Sequence, residues 1–493
     1  MRTKIRIYQK KRSTTLLNYA NRGKPSAKIT KFASAIPRTF MKHEHIDKYT
    51  LMTTAPIPGL VGSLAVPTII SMLVTSIYVM IDTYFVGKIN TQATAAVGIS
   101  FSVMAIIQAF GFFFGHGSGN FISRRLGARD YRSAEKMAAT GFVCAFIMGC
   151  FITLFGLLYL TPICRELGST PTILPYTETY LGIILLGAPF MASSLVLNNQ
   201  MRFQGNALYA MVGITAGTVL NVILAPILIF GYDMGIAGAA WATLCGQLCS
   251  FCILVYMDSR GENIRIRLRN FTPTPAYLRE IVYGGSPSLC RQGLASLAAI
   301  LLNVAAGRYG DAAIAGMSIV GRICMFINSF IVGFGQGFQP VCGYNYGAGI
   351  YSRVRQGFWF CVKVGVVFLT VCSVIGYIYA PEIVSWFRKD DAEVIAVGAR
   401  ALRWQLITLP LGTWVILCNM LLQTIRKPVR AVLLASARQG LFFIPAILML
   451  PCLLGLQGVE MSQAAADLCA FLFALPVTIP VLRSLRTDLK PQG

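Results

Sequence analysis

Apolar residues in this chain gather into runs far longer than a globular core requires. The segment MAATGFVCAFIMGCFITLFGLLYL (137–160) carries no charge at any position. About twenty apolar residues coiled as a helix cross the hydrocarbon core of a bilayer. Breaks at charged, Gly or Pro positions separate twelve such runs. They fall near 57–86, 94–122, 137–161, 174–199, 207–231 and 235–257, then 279–306, 314–342, 357–380, 392–421, 431–452 and 458–482. The pattern predicts an all-α polytopic membrane protein.

The two halves of that pattern match. Shifting the chain by 220 residues brings Pro67 onto Pro287, Gly87 onto Gly307, Gly115 onto Gly335, Gly117 onto Gly337, Gly127 onto Gly347 and Tyr131 onto Tyr351. The register still holds where GIAG (235–238) meets GLQG (455–458). Such self-similarity reads as a duplicated unit of six helices. Six is even, so both units enter the membrane in the same sense, as two parallel lobes around a central cavity. The expected organisation is a basic tail at 1–50, a first lobe at 51–257, a linker at 258–278, a second lobe at 279–482 and a tail at 483–493.

Charge orients the bundle. The chain is 55% hydrophobic and only 13% charged, with a net charge of +24 and a mean hydropathy of +0.63. The stretch SRRLGARDYRSAEK (123–136), the linker, the turn TIRKPVR (424–430) and the tail RSLRTDLK fall on one side of a twelve-span count, together with both termini. In the opposite loop FRKDDAE (387–393) the signs cancel. Basic loops stay in the cytoplasm, so both termini are expected there, in a cell (inner) membrane. The strongly basic, acid-free stretch 1–40 reads as a dispensable tail or as an upstream extension, with Met41 as an alternative start. The fourteen cysteines sit mostly within apolar runs; Cys245, Cys249 and Cys252 lack a neighbouring His or carboxylate and read as packing residues.

Against this background a few polar side chains stand out. Asp82 lies in the apolar run IYVMIDTYFVGKI (77–89), where a charge costs several kcal/mol. Asn221 lies at similar depth on the fifth span, Asn198 near the inner end of the fourth, and Thr243 on the sixth. An acid with amide and hydroxyl oxygens nearby can hold a proton or a small cation. The bland alternative is an acid that caps the loop before Gly87. The acid is not duplicated, since Asp82 falls on Leu302 and Asn221 on Leu441. The second lobe instead carries Arg291, Asn303, Arg322, Gln336, Arg403, Arg438 and Asp467, and a long Arg438 side chain on the eleventh span could reach Asp467 on the twelfth. Such a pair reads first as a structural ion pair and second as part of a substrate cavity. Glu178, between Tyr176 and Tyr180, reads as an interface anchor or as a cation attractor at the outer mouth. His116 falls in GHGSG, a Gly-rich turn that suits close helix packing.

DTYFVGKINTQATAAVGISFSV, SRRLGARDYRSAEK and LNVILAPILIFGYDMGIAGAAWAT together resemble the multidrug and toxic compound extrusion (MATE) family. FGQGFQPVCGYNYGA and SARQGLFFIP resemble its MepA-like bacterial branch. The resemblance spans roughly 41–485. It implies two six-helix lobes, and export of organic cations by a monomer in exchange for H⁺ or Na⁺, with no cofactor and no tightly bound metal. It further implies that Asp82, Asn198, Asn221 and Thr243 form the ion-coupling site. Glu178, Arg291, Asn303, Gln336, Arg438 and Asp467 are the candidates for the substrate cavity. One departure stands out: where many relatives have LNxxLDP, this chain has LNVILAP, so Ala225 replaces a second acid. A site with one carboxylate suits a proton better than a hard metal ion.

The rival within transport is a flippase for a lipid-linked or anionic amphiphile of the same superfamily, for which the second-lobe arginines would line the cavity. A membrane enzyme finds little support: there are three histidines, two of them before residue 50, and neither an HExxH nor a Walker sequence. Nothing suggests a nucleic-acid partner.

Overall fold

The computed structural model describes residues 47–259, 264–387 and 391–485. The basic stretch 1–40, the alternative start at Met41 and most of the tail after residue 482 lie outside the described residues. A short helix, Lys48–Thr54, already begins within the segment expected to be tail. No strand occurs among the described residues. In hydrocarbon every backbone N–H and C=O must be satisfied internally, which leaves helices as the available structure for runs of this kind.

Twelve spans follow. The first lobe contains α1 (Ile57–Gly87), α2 (Thr91–Gly127), α3 (Tyr131–Leu158), a broken α4 (Leu174–Leu186 and Ala188–Phe203), α5 (Ala207–Pro226, extended by a wide turn Ile227–Gly231) and α6 (Gly235–Ser259). The second lobe contains α7 (Pro275–Gly307), α8 (Asp311–Gly347), α9 (Tyr351–Ile378), α10 (Ala392–Thr424), α11 (Pro428–Leu454) and α12 (Leu456–Ser484). Among the described residues eleven helices are long and apolar enough to cross a membrane unaided, and α4 makes a twelfth when its two pieces are joined. Several helices outrun their apolar runs at the basic end; α2 continues to Gly127, where the hydropathy pattern stops near 122. The α2 helix also runs unbroken through GHGSG, so His116 sits in a helix and not in a turn.

Local chemistry explains the ends and the break. The side chains of Asn90, Asp130 and Asp391 accept hydrogen bonds from Ala93, Ser133 and Val394 N–H, capping α2, α3 and α10. The two pieces of α4 meet at 50°. Pro189 has no N–H to offer the carbonyl of Leu185, and the Thr153 hydroxyl donates to that carbonyl instead, at 2.6 Å.

The lobes meet where α2 packs on α7, where α8 packs on α1, and where the basic ends of α2 and α8 touch. The first two contacts are equivalent, and both are made by glycine. A Cβ on Gly284 would come within 2.9 Å of the Gly117 Cα, and one on Gly337 within 2.6 Å of the Ala65 Cα. The hydrogen bonds between lobes cluster towards the basic end. Asn345 donates to Met52 O at 2.9 Å, Arg353 to Ala55 O at 2.6 Å, and Thr424 to Asn120 Oδ1 at 2.8 Å. Farthest from that end, Ser76 and Ser329 touch at 3.2 Å. Beyond them, Val79, Met80, Thr83, Arg322, Met325 and Phe326 line a small cleft between α1 and α8.

Candidate functional site

The polar group of the first lobe is built by a close helix crossing. Gly217 on α5 and Gly246 on α6 bring two backbones together; a Cβ on Gly246 would stand 2.7 Å from Gly217 O. Asn221 and Thr243 lie one turn further along the two helices on the same side of the crossing, so the Asn221 amide donates to the Thr243 hydroxyl at 3.0 Å. The same amide reaches the Tyr78 phenol at 3.5 Å. Tyr78 and Asp82 are four residues apart on α1 and therefore share a face. The carboxylate of Asp82 lies within electrostatic range of the Tyr78 and Tyr180 phenols, and the Thr243 hydroxyl is within reach of both.

Two acceptors in this group are buried without a protein donor: Asp82 Oδ1 and Asn221 Oδ1. An enclosed acceptor left without a donor costs about 1–3 kcal/mol, and more when charged. Asp82 as a whole remains partly accessible, whereas Asn221, Thr243 and Tyr180 are buried. Apolar side chains wall the group, among them Val86, Ile184, Ile229 and Ile236. The arrangement offers one carboxylate, one amide oxygen and three hydroxyls among apolar walls.

The MatE family model matches residues 67–227 and again residues 287–448, once in each lobe and more than half of the chain in all. The chain belongs to the MATE family. It is 28% identical over 411 residues to the multidrug export protein MepA of Staphylococcus haemolyticus, covering 83% of this chain and 90% of that protein. Against the multidrug export protein MepA of Staphylococcus aureus strain MRSA252 the identity is also 28%, over 82% of this chain and 90% of the relative. Among solved structures, an outward-facing multidrug resistance MATE transporter superposes with a TM-score of 0.84 at 24% identity, covering 90% of this chain and all of that one. A transporter from Pyrococcus furiosus, whose binding pocket is described as reversed in polarity, matches equally well. The family consists of membrane transporters, and this chain is of its MepA-like type.

Not every candidate joins the group around Asp82. The amide of Asn198 donates to Ala210 O at 2.9 Å and ties α4 to the first turn of α5. In the second lobe Asn419 donates to Ala431 O at 2.7 Å, an equivalent tie. Both MATE repeats thus use this amide as a strut. Ala225 is buried one turn beyond Asn221. Glu178 accepts from the Thr161 hydroxyl at 2.5 Å near the outer end. Asn303 is exposed on α7.

The second-lobe candidates resolve into two places. Arg438 sits in a wide helical turn of α11 and pairs with Asp467 on α12, Nε to Oδ1 at 2.6 Å and Nη2 to Oδ2 at 3.2 Å. Gln463 adds a third donor to Asp467 at 2.9 Å. Gln336 and Arg291 lie between the lobes instead. Gln336 accepts from Arg202 at 2.6 Å, and Arg202 also donates to Asn199 Oδ1 and approaches His116 Nε2 at 3.4 Å. His116 Nδ1 meets the Ser288 hydroxyl at 2.8 Å, which Gln423 reaches at 2.9 Å. Arg291 Nη1 reaches Asn419 Oδ1 at 3.4 Å. The chain Gln336–Arg202–His116–Ser288–Gln423 therefore threads between the two lobes. Tyr78, Tyr180 and Arg202 were not among the sequence candidates. Arg202, at the charged end of an apolar run, was the one that a search for intramembrane charge would have found.

Proposed function

We propose that this chain is a secondary active multidrug exporter that moves amphipathic organic cations out of the cell in exchange for protons, with Asp82 as the coupling acid. The observation that carries the reading is the enclosed, donor-free oxygen of Asp82 in a group with a single carboxylate. A protonated Asp82 can donate to a neighbouring oxygen. An ionised Asp82 keeps a buried charge that favours a cation nearby. Ligands bias a two-state transporter only by binding its states differently, and such an acid supplies that difference.

Alternating access fits the same frame. The lobes join at the basic end, which the positive-inside rule assigns to the cytoplasm, so this arrangement corresponds to a site closed to the cell interior. Multidrug export is what the MepA relatives are named for. Replacement of the family's second acid by Ala225 favours H⁺ over Na⁺, because a hard cation prefers several charged oxygen ligands.

The test is efflux of a fluorescent lipophilic cation from proteoliposomes under an imposed pH gradient or an imposed Na⁺ gradient. Export driven by the pH gradient is expected. Export driven only by Na⁺ would overturn the proton assignment, and indifference to both gradients would overturn ion-coupled export.

A further inference from the structure

A second set of ionic contacts lies at the basic end, away from Asp82. Glu280, in the first turns of α7, is shared by two arginines. Arg124 of α2 approaches Glu280 Oε2 at 3.0 Å, and Arg426, in the turn before α11, approaches Oε1 at 2.6 Å. Arg124 also donates to Thr424 O at 2.8 Å. Glu280 and Arg124 are largely withdrawn from water, with side chains 12% and 13% exposed, so solvent screens their attraction little. Of the two pairs, Arg124–Glu280 spans the lobes and Arg426–Glu280 stays within the second lobe.

The turn that carries Arg426 is unusual in its own right. Arg426 has φ +61°, a left-handed conformation that a side chain disfavours. The matching turn of the first lobe, placed by the paired struts Asn198–Ala210 and Asn419–Ala431, has Gly205 at φ +87°. Glycine meets that conformation without penalty. The second lobe holds a strained arginine where its duplicate has the relaxed residue, and the arginine's guanidinium lands on Glu280. Nor is the acid duplicated, because the 220-residue shift places Leu60 opposite Glu280.

We propose that Glu280 is a positioning residue of the transport cycle, the centre of an ionic latch that closes the lobes at the basic end and must open for that end to admit cargo. Parting α2 from α7 breaks Arg124–Glu280 because the two residues ride on different lobes. Arg426 travels with Glu280 and keeps its carboxylate paired while the latch is open. Arg124, freed at the same moment, is hydrated. The latch therefore opens without stranding a buried carboxylate, and it can close again. This inference rests on the alternating-access reading for its role, but its test reads conformation and needs no transport.

The experiment uses the full chain in lipid nanodiscs, with bio-orthogonal spin labels at Tyr131 and Gln356, exposed positions on the first turns of α3 and α9 in opposite lobes. Labels of this kind leave the native cysteines untouched. Glu280→Gln is expected to raise the long-distance population at least threefold, and Glu280→Asp to stay near the parent. Arg426→Gly, which restores the residue type of the first lobe, is expected to lower that population, because Glu280 then keeps Arg124 when closed and has no partner when open. A parent-like distance distribution in Glu280→Gln would overturn the latch. Should that variant fail to fold, Arg426→Gly decides: a fall in the long-distance population supports the latch, and a rise or an unchanged distribution overturns it. A Glu280-dependent shift in a chain that shows no gradient-driven efflux would support the latch and sink the export reading alone.

Discussion

The two lobes place an acid in similar scaffolding and treat it in opposite ways. In the second lobe, α11 and α12 hold Asp467 against Arg438 with two hydrogen bonds, and Gln463 adds another. That carboxylate is neutralised within its own lobe. In the first lobe, α5 and α6 present Asn221 and Thr243, and the acid arrives from α1 with one oxygen enclosed and unpartnered. Duplication supplied the same six helices twice. A few side chains differ, so one acid is held by an ion pair and the other keeps an oxygen without a donor.

Substitutions can break this contrast in order of expected effect. Asp82→Asn should lower pH-driven efflux about 100-fold, the upper range of coupling between sites, with little loss of thermal stability. Efflux and melting measured on the same preparation check both halves of that statement. Asp467→Asn should do the reverse, lowering stability by about 2–3 kcal/mol because it strands Arg438, whose side chain is 23% exposed. The double replacement Arg438→Met with Asp467→Leu should recover most of that loss, as read by the protein surviving a heat challenge in detergent. Ala225→Asp should restore a second carboxylate beside Asn221 and shift the driving ion towards Na⁺, seen as Na⁺-stimulated efflux absent from the parent. Asn221→Ala removes one hydrogen-bonding partner worth about 1 kcal/mol, so efflux should fall roughly fivefold.

Much of the architecture was legible because hydropathy acts over whole runs. Twelve spans and their repeat could be counted without knowing one contact, and Arg438 with Asp467 were recognisable as long and short partners on adjacent spans. Of the four residues that the MATE resemblance assigned to ion coupling, the structure brings Asp82, Asn221 and Thr243 towards one another and uses Asn198 as a strut. Sequence could not separate these placements, since an amide at a helix end looks the same whichever group it bonds. Tyr78 and Tyr180 stayed hidden because aromatic residues are commonplace in membrane runs. The contacts Arg202–Gln336 and Arg124–Glu280 join residues 134 and 156 positions apart, and they depend on how the lobes lean together. No local pattern encodes that lean except the glycines that permit it.

The central claim is that Asp82 exchanges a proton for cargo. Proton release on adding a lipophilic cation to the purified chain in weak buffer tests it most directly, with parent and Asp82→Asn side by side. The account expects release from the parent and none from the variant. Equal release from both would place the exchanging proton elsewhere and contradict the account.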